Sequence, residues 1–190
     1  MYNKQASGQQ GFTLIEAMIV VSIIAVLLAV AVPSFSDFFD KNRLKRAAEE
    51  VYGLVAKAKA ETVIRDTDLS VSVDSGTWCA GYAVAANCNC ALANPDTVGA
   101  CAVPVAGVNV LQAIDGTSFT GVVIAADFDT TFNSVRGTAN NGTISLAAGD
   151  GAWVGGVWDG DWALNVIVST RGRIRICAPN ANRTMGYSGC

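Results

Sequence analysis

Histidine is absent from this chain. With it go the usual general base, the Ser-His and Cys-His nucleophile pairs and the commonest zinc ligand. Lysine stops at Lys59, and the carboxylates form no suggestive pair, so no enzyme, cofactor or metal centre is expected. Positive charge is scarce through the middle: between Asp66 and Thr170 ten acids face one base, Arg136. With 13 basic and 16 acidic residues the formal charge is −3, which excludes a surface coated with cations for nucleic acid. Acids are missing in turn from Arg171 onward, where four arginines stand.

What the chain does have is one long apolar run. Ala17 to Val32 reads AMIVVSIIAVLLAVAV, with Ser22 its only polar side chain, and the stretch from Phe12 to Phe35 is long enough to cross a bilayer as a helix. Glu16 stands at its edge, where a lone carboxylate in lipid costs about 2.5 to 3.5 kcal/mol on insertion scales. Met1 to Gly11, MYNKQASGQQG, is short and polar. An ordinary secretory signal is the rival reading, because Ala29-Val30-Ala31 offers a cleavage pattern. Glu16 inside the run and helical patterning far beyond that cut argue against it.

The patterning continues as Leu44, Ala48, Val51, Val55, Ala58 and Thr62, spaced by three or four, the stripe of an amphipathic helix. A continuous helix from Phe12 to Arg65 would be roughly 80 Å long, and Pro33 is expected to kink or locally melt it. Lys41, Arg43, Lys45 and Arg46 follow the apolar run, against the positive-inside tendency. After Asp66 the texture changes to short alternating or β-branched runs (LSVSV, FTGVVIA, TISLAA) divided by Asp115-Gly116, Asn141-Gly142, Asp150-Gly151 and Asp159-Gly160, which predicts strands and turns. WALNVIVSTRGRIRIC reads as a last strand, or two broken near Gly172. The fold class is therefore α+β: a long helix on a β-rich domain.

Six cysteines, Cys79, Cys88, Cys90, Cys101, Cys177 and Cys190, all follow the apolar run, an even count suited to disulfides outside the cytoplasm. Cys177 and Cys190 close a short terminal loop and form a natural pair. A Cys88 to Cys90 ring would be very tight, so each is assigned to Cys79 or Cys101, with the choice open. The spacing lacks the paired knuckles of structural zinc.

Gly11, Phe12 directly after it, Glu16 four residues on, an unbroken apolar run and a long amphipathic helix together resemble a type IV prepilin or type II secretion pseudopilin. The resemblance implies a membrane peptidase that cuts after Gly11 and methylates the new amino terminus at Phe12. It implies the boundaries 1–11 leader, 12–35 membrane and assembly half of the helix, 36–65 amphipathic half and 66–190 globular domain. Pro33 falls where many such pilins carry a helix-breaking proline. Cleavage gives Phe12 an ammonium, and in a staggered bundle Glu16 of one subunit can meet the ammonium of the next, so two costly charges become one register-fixing pair. The β-rich domain with its cysteine-closed tail is similar to the GspH/FimT group of minor pilins. That similarity implies partnership with other pilin subunits, an inner-membrane anchor before assembly with the domain in the periplasm, and a place in a pilus or secretion pseudopilus, either priming its tip or taking up DNA.

Arg171, Arg173 and Arg175 in STRGRIRIC alternate with apolar residues, so a strand would set them on one face. Gly172-Arg173-Ile174-Arg175 matches a G-R-x-R pattern of the DNA-binding members, which implies phosphate contacts from Arg173 and Arg175, helped by Arg171 and Arg183. The competing reading is a solvated strand face that discourages edge pairing. Trp153, Trp158 and Trp162 are read as aromatics packed round a hairpin turn, and Asp127, Asp129, Asp159 and Asp161 as turn residues in preference to calcium ligands.

Overall fold

The computed structural model describes residues 11–84, 86–149, 151–154, 157–160, 162–180 and 184–190, with the side chains of 30–34 and 157 outside that description. The chain divides into two compact units, Met1–Phe38 and Phe39–Cys190. One helix, α1 (Leu14–Arg65), runs from the first into the second. Among the described residues twelve strands follow: β1 (Leu69–Asp74), β2 (Cys79–Ala83), β3 (Ala102–Val105), β4 (Val108–Leu111), β5 (Ala113–Asp115), β6 (Val122–Ile124), β7 (Phe128–Phe132), β8 (Gly142–Ala148), β9 (Trp153–Val154), β10 (Val157–Trp158), β11 (Trp162–Val168) and β12 (Ile174–Cys177). The architecture is α+β.

α1 runs through Pro33 without a break, so of the expected kink or local melting, the melting does not occur. What ends α1 is its exit geometry. Asp66 takes a left-handed φ of 49°, Thr67 N–H reaches back to the Thr62 carbonyl at 3.3 Å and Asp66 N–H to Val63 at 3.4 Å, the paired bonds of a Schellman cap.

In the second unit all six stripe positions, Leu44, Ala48, Val51, Val55, Ala58 and Thr62, are fully buried. Small residues at Ala47, Ala48 and Ala58 let the helix approach closely, and the buried Thr62 hydroxyl is satisfied by the Ala58 carbonyl at 2.8 Å. Against this stripe lie two antiparallel sheets, ordered β5-β2-β1-β7 and β12-β11-β8-β6. Period-two alternation aims Leu69, Val71 and Val73 of β1, Ile144 and Leu146 of β8, and Leu164, Val166 and Val168 of β11 into one shared core with the helix. Each buried Leu, Ile or Val contributes about 1.5–3 kcal/mol by leaving water.

The other face of the first sheet is also covered. Cys79 and Ala83 of β2 pack with Cys88, Cys90 and Cys101 in a second cluster, closed by the bridges Cys79–Cys90 and Cys88–Cys101. Gly81 makes room for that loop, because a Cβ there would lie 2.5 Å from Cys101 Cβ. The third bridge, Cys177–Cys190, closes the C-terminal loop.

The basic run has a structural use that charge counting misses. Lys41 Nζ sits 3.9 Å from the Trp162 ring, Lys45 5.7 Å from Tyr187 and Arg46 5.9 Å from Phe119, while Arg43 donates to the Thr120 carbonyl at 3.4 Å. These cations fasten the helix onto aromatic faces of its own domain.

Candidate functional site

At the amino end, the Thr13 hydroxyl accepts the Glu16 N–H at 3.3 Å and its carbonyl accepts Ala17 N–H at 3.2 Å, which makes Thr13 the helix cap. Glu16 lies in the first turn, where the helix dipole favours a carboxylate. Sequence reasoning passed over Thr13, although Thr-x-x-Glu is the spacing of a capping box. Gly11 is exposed with open space around it, and Phe12 is 77% exposed. From there to Leu28 every large apolar side chain is exposed, and Ser22 hides its hydroxyl on the Met18 carbonyl at 2.8 Å. Among the described residues, no helix is long and apolar enough to cross a membrane; the expected span runs on through 30–34, whose side chains lie outside the description.

The arginine tail forms the hairpin of β11 and edge strand β12, with Val168 opposite Ile174 and Ile167 opposite Arg175. Ile174 and Ile176 pack on the core, while Arg171, Arg173 and Arg175 are exposed. Only Arg175 belongs to the strand; Arg171 sits in the turn instead of on the expected strand face. The reason is Gly172, whose φ of +69° bends the chain and whose missing side chain admits the Gly137 carbonyl. Ser169 and Arg173 close the turn, Ser169 N–H to the Arg173 carbonyl at 2.9 Å and Arg173 N–H to the Ser169 hydroxyl at 3.0 Å. Lys59 of the helix holds the Gly172 carbonyl at 2.8 Å. Arg136 joins the group, because its loop lies against this turn through Gly137 and the Ala139 N–H to Thr170 carbonyl bond of 3.0 Å. Nothing local in the sequence signals Lys59 or Arg136 here. Arg183 lies outside the described residues. Arg175 donates to the Cys190 carbonyl at 3.5 Å; among the described residues, Arg136, Arg171, Arg173 and Arg175 form no ion pair with an Asp or Glu.

The C-terminal loop is held on the helix as well as by its bridge. Tyr187 donates to Glu49 Oε1 at 2.6 Å, and burial, then the Glu49 bond, push its hydroxyl up to about 12. Tyr82 donates toward Glu61 and Gln112, each at 2.8 Å, and burial raises its pKa well above the ordinary value. Asp127 accepts the backbone and hydroxyl of Ser75 at 2.8 and 2.7 Å, which holds its carboxyl below the usual range. Asp159 accepts Ala152 N–H at 2.5 Å, a turn bond, while Asp161 lies outside the described residues. The Trp153 and Trp158 rings meet at a tilt of 57° with centroids 5.4 Å apart, and Trp162 packs against the core.

A capped helix with a bare apolar face, fastened to a disulfide-closed β domain, defines a pilin-like subunit. Residues 6–32 match the family model of the prokaryotic N-terminal methylation motif, and residues 47–187 match that of the type II transport protein GspH. The chain belongs to the GspH family of type IV pilin-like proteins, a structural and non-enzymatic family. It is 32% identical over 137 residues to the fimbrial protein EcpC of Eikenella corrodens, covering 72% of this chain and 80% of that one. A fimbrial protein of Pseudomonas aeruginosa is 48% identical over 57 residues, 30% of this chain, and the match spans only 36% of that relative's length. The crystal structure of the type IV minor pilin FimU of P. aeruginosa shares the fold, with a TM-score of 0.50 and 20% identity over 77% of this chain and 96% of that one.

Proposed function

We propose that this chain is a minor pilin, cut after Gly11, methylated at Phe12 and built into a type IV pilus through residues 12–35, as a priming or tip subunit. Before assembly that segment anchors it in the inner membrane with the globular domain in the periplasm; the 66–190 region then projects from the filament. The observation that carries the reading is the apolar helix surface with one carboxylate in its first turn. Phe12, Leu14 and Ile15 are 64–78% exposed, a surface that lipid or neighbouring helices must cover. Glu16 then pairs with the Phe12 ammonium of the next subunit, and its use is register more than stability. Pro33 is assigned to the helix adjustments that packing in the bundle requires. The fimbrial relatives favour a pilus; the same parts would serve a type II secretion pseudopilus, to which the GspH family model points. Glu16→Val is the test. The variant chain should still reach the membrane and be processed, yet be lost from sheared filaments; normal incorporation would remove the charge pairing.

A second reading rests on the exposed Arg171, Arg173 and Arg175, which among the described residues form no ion pair with an Asp or Glu: phosphate contacts from them and from Arg183 to DNA, which such contacts would make steeply salt-dependent. DNA retention unchanged by Arg173→Ala with Arg175→Ala would dispose of it.

A further inference from the structure

A cleft of about 260 Å³ lies between the outer face of the first sheet and the disulfide loop. Ser72 and Asp74 of β1, Asp127 and Asp129, and Asn87 and Asn89 of the loop line it, and no base does. Asp74 Oδ1 accepts Thr77 N–H at 2.7 Å and Asp127 Oδ1 takes both Ser75 bonds, which fixes two of the three carboxylates. Ser72 is only 6% exposed, and its hydroxyl has no hydrogen-bond partner among the described residues. An unpartnered hydroxyl in the wall of a cleft that also holds three carboxylates leaves acceptors there for a donor from outside. A metal ion does not fit, since among the described residues no three His, Cys, Asp or Glu side chains stand close enough to hold one. A guanidinium fits better: it is wide and planar, with five N–H donors able to reach spread carboxylates and a hydroxyl together.

The chain carries such groups at the far end of the same strands. Every described lysine, and the helix arginines Arg43, Arg46 and Arg65, engage their own domain. The other described arginines, Arg136, Arg171, Arg173 and Arg175, gather at one corner, where Arg175 also makes a long 3.5 Å bond to the Cys190 carbonyl. That corner adjoins the start of β1, where Asp68 Oδ1 accepts Ser134 N–H at 2.7 Å, whereas the cleft lies at its end, by Asp74. We propose that the cleft receives the arginine corner of a second copy of this chain. Because donor and acceptor sit at opposite ends of β1, the contact is head to tail and leaves one corner and one cleft free at the ends of any row of copies. A corner inside a neighbour's cleft cannot meet DNA, so only a terminal subunit could do both. The contact requires two folded copies and no cleavage at Gly11, so it stands apart from the processing scheme.

The test uses two differently tagged full-length chains in detergent, with co-purification measured against concentration and salt. Asp129→Arg, and Arg173→Glu with Arg175→Glu, should each weaken self-association by about tenfold or more, and mixing the two reversed chains should restore it. A second measurement pairs an Asp129→Cys copy with an Arg173→Cys copy, which should form a disulfide between the tags. An unmutated chain that does not self-associate, association indifferent to either reversal, no restoration on mixing, or no cross-link would each overturn the proposal.

Discussion

Replacing Cys177 and Cys190 together by alanine isolates what the C-terminal bridge contributes. The two cysteines are 13 residues apart, and closing a loop of that size removes unfolded-state entropy worth about 3 kcal/mol. The native tail keeps other ties: Ala178 N–H to the Ser188 carbonyl and Cys190 N–H to the Ala178 carbonyl, both 3.0 Å, and Tyr187 to Glu49. Alanine leaves no orphan hydroxyl at the fully buried Cys177. The loss should therefore appear in the unfolded state, with the fold kept. For a domain the size of Phe39–Cys190, about 3 kcal/mol corresponds to a fall of about 6–12 °C in Tm. Differential scanning calorimetry of the full chain in detergent, above and below the expected range, reads it directly. A fall of less than about 2 °C would refute the loop-entropy reasoning; loss of the cooperative transition would show instead that the bridge holds the native packing itself.

Three further outcomes follow from named contacts. Gly81→Ala would place a methyl 2.5 Å from Cys101 Cβ and 3.0 Å from the Gln112 carbonyl, a clash with backbone and bridge that should cost about 1–3 kcal/mol in denaturant unfolding. Lys59→Met removes the donor to Gly172; a stability loss of about 1 kcal/mol and faster amide exchange across Ser169–Arg173 are expected, and unchanged exchange would mean that the turn holds itself. Hydrogen bonds from Ser134 and from Ser75 hold the Asp68 and Asp127 carboxyls below their ordinary value, so their stabilisation is full above that value and lost as pH falls through the lowered one. Tm should stay flat from about pH 5 to 8 and drop below about pH 4, and Asp68→Asn should shrink the drop.

The helix stripe was readable residue by residue because its spacing follows helical geometry, and the LSVSV alternation located β1 for the same kind of reason. The pairing of Cys79, Cys88, Cys90 and Cys101 was not, since the two bridges found have separations of 11 and 13, too similar for loop entropy to choose between partners. The path of the loop after β2 decides it, bringing Cys90 within 5.6 Å of Cys79 and Cys88 within 5.0 Å of Cys101 between Cα atoms. The basic run looked wrong by charge count because the aromatic faces it meets, Trp162, Tyr187 and Phe119, come from remote sequence. Distance hides Lys59 in the same way, with a sequence separation of 113 from Gly172. Arg171 left the expected strand face because a strand rule knows nothing of the left-handed turn at Gly172.

Mass spectrometry of the mature chain tests the central claim most directly. The account predicts an amino terminus at Phe12 carrying one methyl group, with Met1 to Gly11 gone. A chain beginning at Val32 would identify an ordinary secreted protein, and one retaining Met1 to Gly11 in assembled filaments would contradict the pairing of Glu16 with a new ammonium.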